Sequence, residues 1–182
     1  VLDAISKGDL GRIAVTFIEW GDDYNQDVVV PWTIIKDLAS AKKFATDLLA
    51  APRKAYGSNA IGQAIATAQD QIEKNDIAGH RKVIDLSGDS ANNWNGMPIE
   101  EARKRAVAAG IIINGLAILC RADTCSGRPV SYDLEKAFAT RIIGGPGSFV
   151  VTVDSPSSFA TAVRRKLILE LAAGPRQRRV MQ

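Results

Sequence analysis

Residues 81–93 read Arg-Lys-Val-Ile-Asp-Leu-Ser-Gly-Asp-Ser-Ala-Asn-Asn, a short apolar run that opens into a polar loop. Residues 83–86 are too few and too β-branched for a helix, so they predict a buried strand, and Ser87-Gly88-Asp89 is where the chain leaves its end. In an open parallel sheet, ligands bind beyond the carboxyl ends of the strands. A carboxylate among several side-chain oxygens at that place suits a hard cation. Asp, Asn, Ser and Gly are also ordinary turn formers, so Asp89 and Asn92 have a purely structural reading as well.

Outward from this strand the pattern alternates helix and strand. On the C-terminal side, Pro98 introduces a helix carrying Ile99, Ala102, Ala106 and Val107, which Gly110 stops. Residues 111–119 are nearly all apolar, as a parallel strand buried on both faces should be, and are expected well inside the sheet. A short helix over 134–140, a glycine-rich turn at 144–147 and a strand over 149–153 follow. The last helix bears Phe159, Ala162, Val163, Leu167 and Leu171 on one stripe and is closed by Gly174-Pro175.

On the N-terminal side, Ile61, Ala64, Ile65, Ala68 and Ile72 recur at helical spacing, with Ser58 or Asn59 as the expected cap. A helix from Ser40 to Pro52 carries Ala41, Phe44, Ala45, Leu48 and Leu49, and is expected to cover a sheet face. Residues 12–20 and 27–32 read as an antiparallel hairpin around Gly21-Asp22-Asp23-Tyr24-Asn25. Pro31 cannot donate to a ladder, so it is expected to end the second run. That leaves residues 27–30 as an antiparallel edge strand closing one side of the sheet. The order predicts a three-layer α/β domain with a mostly parallel sheet.

Composition narrows the functions. The chain has 182 residues, enough for one domain with a full core, here 1–174, followed by a basic tail at 175–182. No apolar run approaches the roughly 18 residues of a membrane span. Net charge is only +3, and Arg164-Arg165-Lys166 and the tail are basic without interleaved aromatic residues, so a nucleic-acid partner is not expected. No dinucleotide, P-loop or nucleophile-elbow motif follows any strand, and no catalytic residue is assigned. Cys120 and Cys125 enclose a four-residue loop. This is neither a redox Cys-x-x-Cys nor, with one distant histidine, His80, a zinc site. The two are expected to pair if the protein is exported.

Four segments in order carry a resemblance: Gly-Arg-Ile-Ala-Val-Thr-Phe-Ile-Glu-Trp at 11–20, Val-Ile-Asp-Leu-Ser-Gly-Asp-Ser-Ala-Asn-Asn at 83–93, Ile-Asn-Gly-Leu-Ala-Ile at 113–118 and Ile-Gly-Gly-Pro-Gly-Ser-Phe-Val at 143–150. Over about residues 1–172 the chain resembles a bacterial group of von Willebrand factor A-like domains of unknown function. The resemblance implies a Rossmann-like fold with a metal-ion-dependent adhesion site for Mg²⁺ or Mn²⁺, and a role in binding a protein partner instead of catalysis; a hydrolase in which Asp85, Asp89 and a metal activate water, and a metal-free interaction domain, are the alternatives. A periplasmic or secreted location is the matching expectation.

Residue by residue, Asp89 matches the aspartate of that family's third metal loop. Asn59, or Ser58 if the alignment slips by one, falls where the second loop has threonine, and Asp85 is a rival for the third position. Trp94 and Asn92 beside the loop are the expected partner contacts. The family's first loop, Asp-x-Ser-x-Ser after a central strand, has no counterpart. The sequence opens within what would be the following helix, so that strand is expected upstream. The chain by itself is accordingly expected to bind divalent cations weakly or not at all.

Overall fold

A computed structural model describes residues 2–6, 11–119 and 130–172. The elements are α1 (Leu2–Ser6), β1 (Ile13–Trp20), β2 (Gln26–Ile35), α2 (Leu38–Ala50), α3 (Ile61–Glu73), β3 (Lys82–Gly88), α4 (Ile99–Ala108), β4 (Ile111–Ile118), α5 (Leu134–Ala137), a π-helical turn (Phe138–Ile142), β5 (Val150–Val153) and α6 (Pro156–Ala172). The Cys120 and Cys125 pairing, the Gly174-Pro175 stop and the basic tail lie outside the described residues.

Three strands form a parallel sheet in the order β3-β4-β5. Residues in a strand alternate between its faces, and here the alternation sets the layers. Ile84 and Leu86 of β3 and Ile111, Ile113 and Ala117 of β4 join Ile61, Ala64 and Ile65 of α3, Ala102 and Ala106 of α4, and Phe138 and Ile142 of the π-helical turn in the main core. On the opposite face Leu116 packs with Val153 of β5 and Ala162 of α6 in a much smaller cluster. β4 is hydrogen-bonded on both sides, and Ile111, Ile113 and residues 114–117 are buried, as its apolar run requires.

Three expectations are corrected. The hairpin does not extend the parallel sheet: β1 and β2 form a two-stranded antiparallel sheet of their own. α3 packs against both sheets, and Trp20 at the end of β1 reaches the main core. Pro31 does not end β2, which continues to Ile35. The register shifts between Val15 and Phe17, so the exposed proline sits opposite an irregularity where its missing N–H leaves no ladder bond unmade. Among the described residues β2 pairs with β1 alone, so it is an edge strand, but of the hairpin's own sheet.

The third correction concerns Lys166, read as part of a basic cluster on the last helix. Its side chain is 1% exposed and its ammonium pairs with Asp85 of β3 and, at 2.8 Å, with Glu170 one turn on. Asn114 of β4 donates to the same Glu170 carboxylate at 2.8 Å, and Lys166 stands 5.8 Å from the centroid of the Phe149 ring. A cluster of ionic and polar groups therefore fills the gap that the small apolar cluster leaves under α6.

No helix among the described residues is long and apolar enough to cross a membrane.

Candidate functional site

Three loops meet at the carboxyl ends of β1 and β3, and backbone hydrogen bonds join them. The turn after β1 is tied to residues 56–60 twice: Asp22 N–H donates to Tyr56 O at 3.2 Å and Ala60 N–H to Gly21 O at 2.9 Å. Trp94 N–H donates to Asn59 O at 2.8 Å, bringing in the loop after β3. Two glycines permit this closeness. A Cβ on Gly21 would stand 2.0 Å from Tyr56 O, and one on Gly62 would stand 2.0 Å from Met97 O.

The α3 N-terminus is held from across this junction. Its N-cap is Ala60, with no side-chain hydrogen bond, so neither Ser58 nor Asn59 caps it. Both come before the position from which a side chain can reach the second and third helical N–H groups. The acceptor is Asn93, whose Oδ1 takes the Gly62 N–H at 2.9 Å while its Nδ2 donates to Asn95 O at 3.2 Å and Met97 O at 3.1 Å.

The loop after β3 is braced further by Tyr132. Its hydroxyl accepts Ala91 N–H at 2.8 Å, lies 3.3 Å from Ser90 Oγ and donates to Asn92 Oδ1 at 3.4 Å. Asn92 N–H also donates to Ser90 Oγ at 3.1 Å. In the turn after β1, Asp22 Oδ1 accepts Asn25 N–H at 3.1 Å and Asn25 Nδ2 at 2.6 Å, an Asx-type closure.

Asp89 directly follows β3 and is half-buried. Ser58 is exposed and Asn59 half-buried on the second loop. These donors are all oxygen, the chemistry a hard cation takes, but one carboxylate, one amide and one hydroxyl supply fewer than the roughly six oxygens of a full Mg²⁺ shell. Two more oxygens in the joined loops, Asp23 Oδ1 and Asn95 Oδ1, are buried without a hydrogen-bond donor. Among the described residues no three Asp, Glu, His or Cys side chains converge as a metal cluster. Asp85, the rival ligand, turns instead towards Lys166. Burial raises its carboxyl above the usual range, Glu170 pushes the same way and Lys166 opposes.

The surface over these loops is aromatic. Trp94 is 72% exposed, Tyr24 91% and Tyr56 61%, one on each loop. Arg53 lies over the Tyr56 ring, 5.6 Å from its centroid. Sequence reading singled out Trp94 but passed over Tyr24 and Tyr56, although an aromatic residue inside a polar, glycine-containing turn is a usable signal. Tyr132 and the capping role of Asn93 had none, because each acts on backbone distant in sequence.

The family described as protein of unknown function (DUF1194) matches residues 1–175. No curated protein sequence matches. Among solved structures the chain is similar to the conserved hypothetical protein BatB of Bacteroides thetaiotaomicron, at 22% identity and TM-score 0.52 over 87% of this chain and 79% of that one. It is also similar to proximal thread matrix protein 1 of the mussel byssus, at 15% identity and TM-score 0.60 over 94% of this chain and 41% of that one. A third likeness is to the pilus adhesin SpaC of Lactobacillus rhamnosus GG, at 13% identity and TM-score 0.59 over 92% of this chain and 26% of that one. At these identities the likeness is one of fold, and it accords with the α/β architecture expected from the strand and helix order.

Proposed function

This chain belongs to the DUF1194 family of proteins of unknown function, and we propose that it is a protein-binding module of von Willebrand factor A type. The partner docks on the joined loops at the carboxyl ends of β1 and β3. The observation that carries this reading is the fusion of three loops into one braced surface bearing Trp94, Tyr24 and Tyr56, with Asp89 on the loop that also carries Trp94. Exposed aromatic side chains on a rigid frame supply contact area at low cost in conformational entropy, which is how interface anchors work. Two of the fold relatives are named as a pilus adhesin and a thread matrix protein, which agrees with an attachment role.

In this reading a divalent cation, Mg²⁺ or Mn²⁺, is held by Asp89 with Asn59 or Ser58, and a partner carboxylate completes its shell. The cation would supply the charge that draws that carboxylate in. Asp89 would anchor it, while Asn93 and Tyr132 keep the Asp89 loop in place against α3. A metal-dependent hydrolase would need a base beside Asp89, but His80, the sole histidine, precedes β3 whereas Asp89 follows it.

Calorimetric titration of Mg²⁺ and Mn²⁺ into this chain tests the reading, with Asp89→Ala as control. We expect weak binding that the substitution abolishes. Equal affinity of the chain and its Asp89→Ala variant would leave a metal-free interaction domain as the reading.

A further inference from the structure

Beside the loop after β3, between the start of α4 and the π-helical turn, lies an open groove of about 390 Å³. It is lined by Asn93, by the first residues of α4 and Arg103 further along that helix, and by Thr140 and Arg141 of the π-helical turn. None of these arginines was marked by sequence reading, because α4 and the residues around 140 are separated by a strand and a long polar segment.

The groove is built to hold a negative charge. Arg103 spends one guanidinium N–H on Thr140 O, at 2.9 Å, which fixes its direction and leaves its other donors available. Arg141 is exposed and makes no hydrogen bond or ion pair with any described residue. It sits on a π-helical turn, where the wider winding moves Thr140 and Arg141 off the positions an α-helix would give them, a distortion found often at functional sites. The N-terminus of α4 carries no side-chain cap, and Glu100 and Glu101 in its first turn offset part of its positive potential.

Among the described residues Glu100 is the one acidic side chain lining the groove, and no ion pair joins it to either arginine. Two arginines against one glutamate leave the groove a single positive charge. That balance suits a singly charged carboxylate better than a dianionic phosphate, and a guanidinium edge matches a carboxylate in two parallel hydrogen bonds.

We propose that this groove seats an aspartate or glutamate side chain from an acidic segment of a protein partner. It stands on the two arginines and uses none of the oxygens assigned to the cation, so it adds a second acidic contact to the loop surface without depending on the first. A partner engaging both would present two carboxylates.

The test is fluorescence anisotropy with a labelled eight-residue glutamate-rich peptide, in EDTA and low salt, so that the cation site is silent. We expect Arg141→Glu to weaken binding at least about fivefold, in line with loss and reversal of a solvent-exposed charge contact, and Glu100→Gln to strengthen it. Arg164→Glu, which makes the same change of net charge on the exposed part of α6, should leave it unchanged. The proposal is overturned if the Arg164 and Arg141 variants weaken binding equally, if Arg141→Glu binds like the parent, or if a glutamine-rich peptide of the same length binds as tightly.

Discussion

Asn93 Oδ1 accepts the backbone N–H of Gly62 at 2.9 Å, so a residue of the loop after β3 caps a helix that begins more than thirty residues earlier. The cap joins the Asp89 loop to the α3 N-terminus, and both face the candidate partner surface. Asn93→Ala should cost about 1–3 kcal/mol, combining a lost cap with carbonyls of Asn95 and Met97 that lose their donor. Asn93→Asp keeps the acceptor and loses the donors, so its loss should be smaller. Urea denaturation of the three proteins gives the order directly.

Tyr132→Phe removes only the hydroxyl that accepts Ala91 N–H. The expected loss is about 1 kcal/mol. Amide exchange is the sharper readout: Ala91 N–H should exchange faster in the variant while amides of β4 keep their protection. Unchanged exchange at Ala91 would mean that the loop does not depend on this brace.

The Lys166 cluster makes a prediction about pH. Burial, the leading cause, holds the Asp85 carboxyl above its usual range, although its side chain is 35% exposed. A carboxyl with a raised folded pKa binds its proton more tightly in the folded state. Its contribution to stability is therefore complete below the unfolded pKa and is lost as pH rises through the raised folded value. Asp85→Asn should match the parent at the acid end of that window and exceed it in stability at the alkaline end. Denaturant midpoints measured across pH 3 to 8 check the sign, and a variant less stable than the parent at pH 8 would contradict it.

Lys166→Met should act in the opposite direction. It leaves Asp85 and Glu170 under α6 without their shared cation, and breaking a buried ionic cluster from one side costs about 3 kcal/mol. Adding Asp85→Asn to Lys166→Met should recover part of the loss, because one of the two stranded charges is then gone.

What the sequence disclosed followed from periodicity and what it hid followed from pairing. The apolar run in β4 and the helical stripe Ile61, Ala64, Ile65 named the main core, since burial on one or both faces leaves a local pattern. The separate hairpin sheet was not legible, because local alternation says that β1 is a strand without saying which edge it meets. Lys166 looked like its neighbours Arg164 and Arg165, and only its helical phase, one turn before Glu170 and facing Asp85, sets it apart. At the candidate site the positions of Asp89, Asn59 and Trp94 on converging loops could be anticipated, whereas the Asn93 cap, the Tyr132 brace and the Arg103 and Arg141 groove needed the fold.

The central claim, a cation-assisted docking surface around Asp89, is tested most directly by paramagnetic broadening. Mn²⁺ added at substoichiometric levels to ¹⁵N-labelled protein broadens the amide resonances nearest the bound ion. The account predicts that resonances of Ser58, Asn59 and Asp89 broaden first, that those of α2 on the far side of the hairpin stay sharp, and that Asp89→Ala removes the effect. Broadening that begins elsewhere, or that persists unchanged in Asp89→Ala, would contradict it.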